Sequence, residues 1–228
     1  MLVVVIAPRS GHNDGMLSRR ALGLAAFGGV AAWATRARAQ EIPTMALSIA
    51  VATIGKKSIV SEAWLKEQVS ETQRLFAPHG LSLSVLRRRV LQESRARLET
   101  GDDRDALAEL IEPQVINVFV VYSLRDVDDP RLFRMGVRWR KRDNLKKDYV
   151  IIAESAMPTT LCHELGHYFG NSHSPVVNNV MSYKRDDDSK IAFDEHQGRR
   201  MRTVARSHLK NGKLVPFDQL HKPNASTS

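Results

Sequence analysis

Three histidines and one glutamate have the types and spacing to hold a metal ion and use it. They lie in His163-Glu164-Leu165-Gly166-His167-Tyr168-Phe169-Gly170-Asn171-Ser172-His173. Four residues is close to one helical turn, so on a helix His163 and His167 present their imidazoles on the same face. Two such rings can share one ion, and zinc takes imidazole nitrogen at about 2.0–2.1 Å. His173 lies six residues past His167, and a straight helix would carry it away from that ion. Gly170 supplies the turn, because glycine enters left-handed backbone conformations cheaply and can send the chain back towards the metal. Glu164, beside the first ligand, can hold a water at the ion without being a ligand. Three histidines with a fourth position open to water is the catalytic form of a zinc site, not the closed structural one.

These residues need a helix from about Pro158 to Gly170, and the rest of the chain reads as the elements that support it. Met45 to Ile54 is apolar and partly alternating, a buried first strand. Ser61 can cap a helix through Phe76 with a rough apolar face. Leu81 to Leu91 alternates and reads as a second strand. A helix from Thr100 is stopped by Pro113. Val115 to Tyr122 is the most hydrophobic strand and is expected at the centre of a parallel sheet. Leu132 to Arg140 sets Phe133, Met135, Val137 and Trp139 against charge on the other face, which suits a half-exposed edge strand. Tyr149 to Ala153 is short and buried, and Asp194 can cap a last helix running to about His208.

The chain has 228 residues, 43% hydrophobic and 26% charged, enough for one globular domain with a normal core. Its formal charge of +9 permits a nucleic-acid partner on charge alone, but with only 6% aromatics and no basic-aromatic repeat there is no reading surface to name, and none is expected. The single cysteine, Cys162, excludes an intrachain disulfide. Ser18-Arg19-Arg20-Ala21-Leu22, a weakly apolar run to Thr35 and Ala37-Arg38-Ala39 read as a signal peptide of twin-arginine type, with Met16 a more ordinary start than Met1. The run is too short to span a membrane. The expected layout is a signal peptide over 1–39, a folded domain over 40–213 and a C-terminal tail over 214–228, polar from Pro223. The mature chain is expected to be a monomer in the periplasm or outside the cell.

HExxH followed by xxGxxH and a downstream methionine resembles the metzincin zinc peptidases. His163 to His173 looks like their zinc motif, and Met181 like the methionine of their Met-turn. Ser174 is similar to matrixins, whereas Val180-Met181-Ser182-Tyr183 is more similar to serralysins and astacins. The resemblance implies an α/β (α+β) fold: a twisted, mostly parallel five-stranded sheet with an antiparallel edge strand, an active-site helix, the Met-turn and a C-terminal helix. It also implies one catalytic Zn2+ on His163, His167 and His173, Glu164 as general base, and a hydrophobic floor at Met181. For Tyr183 it implies a hydroxyl that binds zinc or the developing oxyanion; a tyrosine packed into the loop wall is the alternative. A protein or peptide substrate would lie along the edge strand near Phe133 to Arg140, where Arg138 to Arg142 would favour acidic peptides unless they form a solvated face. Cys162 points about 100° away from His163 on the helix and reads as a small buried residue. The expected function is an exported zinc endopeptidase. The competing readings are a secreted, non-catalytic zinc-containing binding module of the same fold and a basic envelope- or nucleic-acid-binding protein.

Overall fold

The structure is a computed structural model that describes residues 41–221. The expected signal peptide and the residues from 222 onward lie outside that range. Strand β1 (Met45–Ile54) is the apolar run read from the sequence, and a two-residue strand β2 (Lys57–Ser58) folds back on its end. Helix α1 (Glu62–Phe76) starts where Ser61 accepts a hydrogen bond from the Trp64 amide, satisfying a donor the helix itself cannot. Strand β3 (Leu83–Leu91) runs parallel to β1. The two-residue strand β4 (Arg97–Leu98) leads into helix α2 (Gly101–Ala106), where Thr100 and Asp103 form a capping box.

Strand β5 (Ile116–Val121) is buried at every position and lies parallel between β1 and the later strand β8. Its neighbour in sequence, β6 (Ser123–Leu124), pairs with β4. Strands β7 (Gly136–Lys141) and β8 (Asn144–Ala153) form an antiparallel hairpin that puts β7 at the edge. Helix α3 (Thr160–Tyr168) carries the zinc motif, α4 (Glu195–Lys210) begins at the Asp194 capping box, and α5 (Phe217–Leu220) closes the described chain. The main sheet runs β3-β1-β5-β8-β7, with β2 on the end of β1.

The sheet is covered on both faces, which is why its central strands are apolar throughout rather than alternating. Ile116, Val118 and Val120 of β5 meet α1, α3 and α4, while Phe119 and Val121 face a second cluster containing Leu98, Leu107 and Leu124. Tyr149 belongs to that second cluster and donates its hydroxyl to the carbonyl of Arg104 at 2.6 Å.

Three expectations shift. The edge strand begins at Gly136, not Leu132, because residues 132–134 pair with 124–126 through Asp126 N–H to Leu132 O and Arg134 N–H to Leu124 O. Strand β8 begins five residues before Tyr149, since its charged first half needs only β7 as partner and no core. The first part of the C-terminal tail expected from 214 is docked through His221: Leu214 is buried, Pro216 bridges Met45, and the Phe217 amide donates to Thr44 O at 2.8 Å. An apolar Leu-Val-Pro-Phe run, unread in the sequence, is what anchors it. No helix among the described residues is long and apolar enough to cross a membrane.

Candidate metal centre

Helix α3 is buried along nearly its whole length, and its end is shaped by Gly170 at φ +92°. The Asn171 amide donates to Gly166 O and the Gly170 amide to His167 O, both at 2.9 Å. This is the Schellman pattern, which closes a helix through a left-handed residue. It turns the chain so that His173 returns to the two helix histidines, as the spacing predicts.

One ligand atom from each of His163, His167 and His173 lies within 4.8 Å of the others. His167 Nε2 and His173 Nε2 are 3.1 Å apart, near the roughly 3.3 Å expected of two nitrogens on one tetrahedral zinc. The Nδ1 atoms of the helix histidines are engaged elsewhere. His163 Nδ1 donates to Val180 O and His167 Nδ1 to Asn171 O, each at 2.8 Å. A carbonyl only accepts, so both Nδ1 atoms carry the proton and both Nε2 lone pairs are free for an ion. Burial lowers the pKa of His163 to about 4 and that of His167 below its ordinary value; burial and then Arg134 lower that of His173. All three are neutral near pH 7, the form that ligates metal. The donor set fits zinc.

Glu164 lies beside this cluster and is only 7% exposed. Burial raises its pKa to about 7, opposed by a hydrogen bond from the Arg138 amide to Oε2 at 2.7 Å. The edge strand approaches it closely at Gly136, where an added Cβ would lie 2.9 Å from Glu164 Cγ and 2.8 Å from Thr160 Cγ2. Met181 is fully buried, and a Cβ on Gly166 would lie 2.4 Å from its sulfur. The methionine thus packs directly against the bare backbone of α3 between the two helix ligands.

The turn that carries Met181 is braced by Asn179. Its side chain exchanges two hydrogen bonds with Gln197 of α4, at 2.9 and 3.0 Å, and its Oδ1 also accepts from the Met181 amide at 2.9 Å. Met181 O in turn accepts from the Ser174 amide at 2.9 Å, tying the segment after His173 to the same turn. Tyr183 is 73% exposed, and its hydroxyl lies 2.7 Å from His173 Nε2. It reaches the ligand cluster and is not packed into a loop wall. Cys162 is fully buried in the core, and burial pushes its thiol well above the ordinary range.

The basic run at 138–142 is mostly paired with acids. Arg138 turns inward to Asp148, Lys141 pairs with Asp143, and Arg142 with Asp102 and Asp105. These pairs offset the positive charge that was to favour acidic peptides. Gly136, Asn179 and Gln197 were not legible as site residues; the sequence shows only an isolated glycine and two ordinary polar residues, and their roles arise from contacts between distant segments.

Comparison with solved structures finds mirolysin in complex with a compound numbered 9, at 12% identity and TM-score 0.56, covering 79% of this chain and 99% of that one. A Tannerella forsythia promirolysin mutant matches at 13% identity and TM-score 0.58, covering 81% and 89%. Metalloproteinase-II from Bacteroides fragilis matches at 12% identity and TM-score 0.50, covering 72% and 53%. All are metzincin-type zinc peptidases. The chain has the metzincin fold. No protein-family model and no curated protein matches it. In this fold α3 carries His163 and His167, the turn at Met181 packs beneath them, and β7 is the antiparallel edge strand.

Proposed function

We propose that this chain is an exported zinc endopeptidase. The observation that carries the reading is the meeting of three neutral imidazoles, two of them with Nδ1 engaged and Nε2 left for an ion, with a buried carboxyl under an edge strand. Bound by His163, His167 and His173, zinc would supply Lewis acidity towards a water and a peptide carbonyl. The outer edge of β7 offers backbone groups to an extended peptide, which fixes the scissile bond over the cluster. Glu164 takes a proton from the attacking water as the new C–O bond forms, then gives it to the departing amide nitrogen as the C–N bond breaks. Its pKa of about 7 suits both directions near neutral pH. The Tyr183 hydroxyl donates a hydrogen bond to the carbonyl oxygen as negative charge gathers there. Met181 is a floor beneath the ligands and touches no substrate. The export half of the proposal rests on the twin-arginine pattern in residues 1–39.

The test is cleavage of unfolded casein by the zinc-loaded protein, with and without a chelator, beside Glu164→Gln. Cleavage is expected to stop on zinc removal and to fall about 10²–10⁴-fold in the variant, which keeps its zinc. Tight zinc binding with no cleavage across a peptide library would favour the non-catalytic binding module instead.

A further inference from the structure

Arg138 makes three separate connections across the metal centre. Its amide donates to Glu164 Oε2 at 2.7 Å. Its guanidinium Nη1 donates to His167 O, in the last turn of α3, also at 2.7 Å. Nε and Nη2 form a two-pronged pair with Asp148, at 2.9 Å to Oδ1 and 2.8 Å to Oδ2. Asp148 sits on β8, with its side chain 2% exposed, and takes a second cation at 2.8 Å from Lys213 Nζ. Burial alone would push this carboxyl up, yet Arg138 and Lys213 hold it below the usual carboxylate range, so it stays charged.

The arrangement uses what distinguishes arginine from lysine. A planar guanidinium matches a carboxylate with two parallel N–H groups and still has a third nitrogen to reach elsewhere. Here that third nitrogen reaches a helix-end carbonyl, where a cation is also favoured by the helix dipole. The same residue thereby fixes the strand that holds Glu164 and the turn of helix that carries His167. Removing its side chain would release the helix turn and leave Asp148 buried beside a single lysine, so that the amide at 138, which any of the variants keeps, would hold Glu164 from a loosened strand.

We infer that Arg138 is a positioning residue of the metal centre, oriented by Asp148, which sets Glu164 and His167 relative to one another. The effect on rate rests on the peptidase reading above; the effect on metal affinity does not.

The experiment compares the full zinc-loaded chain with Arg138→Ala, Arg138→Lys and Asp148→Asn, and with Arg88→Ala as the control, an exposed arginine on β3 at the opposite edge of the sheet. Peptide hydrolysis gives kcat and KM, and competition with a chromogenic chelator gives the zinc dissociation constant. Arg138→Ala and Asp148→Asn are expected to weaken zinc binding and to lower kcat, each by about 10–100-fold, with KM little changed. Arg138→Lys, which keeps the charge and loses the fork, should recover neither. Ethylguanidinium added to Arg138→Ala should restore part of kcat, which a merely structural loss would not allow. Arg88→Ala should match the wild type. Zinc affinity and kcat of Arg138→Ala equal to those of Arg88→Ala, a loss carried by KM, or no rescue would each overturn the inference. If Arg138→Ala does not fold, Arg138→Lys decides in its place by the same two constants. A wild-type protein that cleaves nothing would end the peptidase reading, and the ratio of zinc dissociation constants would still decide this one.

Discussion

Glu164 and Tyr183 share a small site but face opposite conditions. Glu164 is buried and tethered to a main-chain amide, so its carboxyl is held in one orientation. Tyr183 is exposed, with its hydroxyl at His173 and its ring tilted over the His173 and His163 imidazoles. If that hydroxyl stabilises the developing oxyanion, Tyr183→Phe should lower kcat about 10²–10³-fold and leave zinc content and KM near wild type. Steady-state kinetics on a quenched fluorescent peptide would measure it, and an unchanged kcat would assign Tyr183 to the loop surface alone. His163, His167, His173, Glu164 and Gly170 were legible from spacing because a helix followed by one left-handed residue fixes their relations locally. Tyr183 was not: ten residues of irregular chain separate it from His173, and only the turn braced by Asn179 and Gln197 determines where its hydroxyl lies.

At the scale of elements, two glycines set how closely the site's walls approach. Gly136 lets β7 lie against α3 at Glu164, and Gly166 lets the Met181 sulfur lie against the helix backbone. A methyl group at either position enters filled space, and overpacking of this kind costs about 1–3 kcal/mol. Gly136→Ala is expected to lower stability by that order in urea denaturation and also to lower kcat, because Thr160 Cγ2 and Glu164 Cγ are what the new Cβ meets. Gly166→Ala should lower stability with a smaller effect on kcat, since the Met181 thioether is flexible and can shift. Equal stability of both variants and the wild type would show that the strand and turn adapt freely. The element types and order followed the apolar periodicity closely, as at β5 and α1. The start of β7 did not, because Phe133 and Met135 continue the same alternation while residues 132–134 pair with 124–126 instead.

For the whole molecule, buried neutral histidines tie stability to pH. His163 and His208 both have pKa values lowered from 6.5 to about 4, by burial first. The unfolded chain then binds protons that the folded chain does not, so below pH 6.5 stability falls as pH falls, until about pH 4. Glu164 acts with the opposite sign: its pKa is raised from 4.5 to about 7, so it favours the fold on the acid side of that window. With two strongly shifted histidines against one carboxyl, the metal-free protein is expected to lose thermal stability between about pH 6.5 and 4. The melting temperature of chelator-treated protein across that range would show it, and His208→Gln should flatten the slope without touching the ligand cluster. A melting temperature that rises on acidification would contradict the sign. Zinc should raise the melting temperature at pH 7, since it binds the folded ligand set.

The sequence by itself determined the histidine triad, its turn at Gly170, the place of Glu164 beside it and the order of strands and helices. All of these follow from relations within about one element's length, where helical period, alternation and capping chemistry act directly. The tertiary structure decided what those residues rest on. Arg138 reaches His167, Asn179 meets Gln197, and the segment from Leu214 docks on β1, all across long separations in the chain. Such pairings are selected by which surfaces the sheet and helices bring together on folding, and no local pattern encodes them.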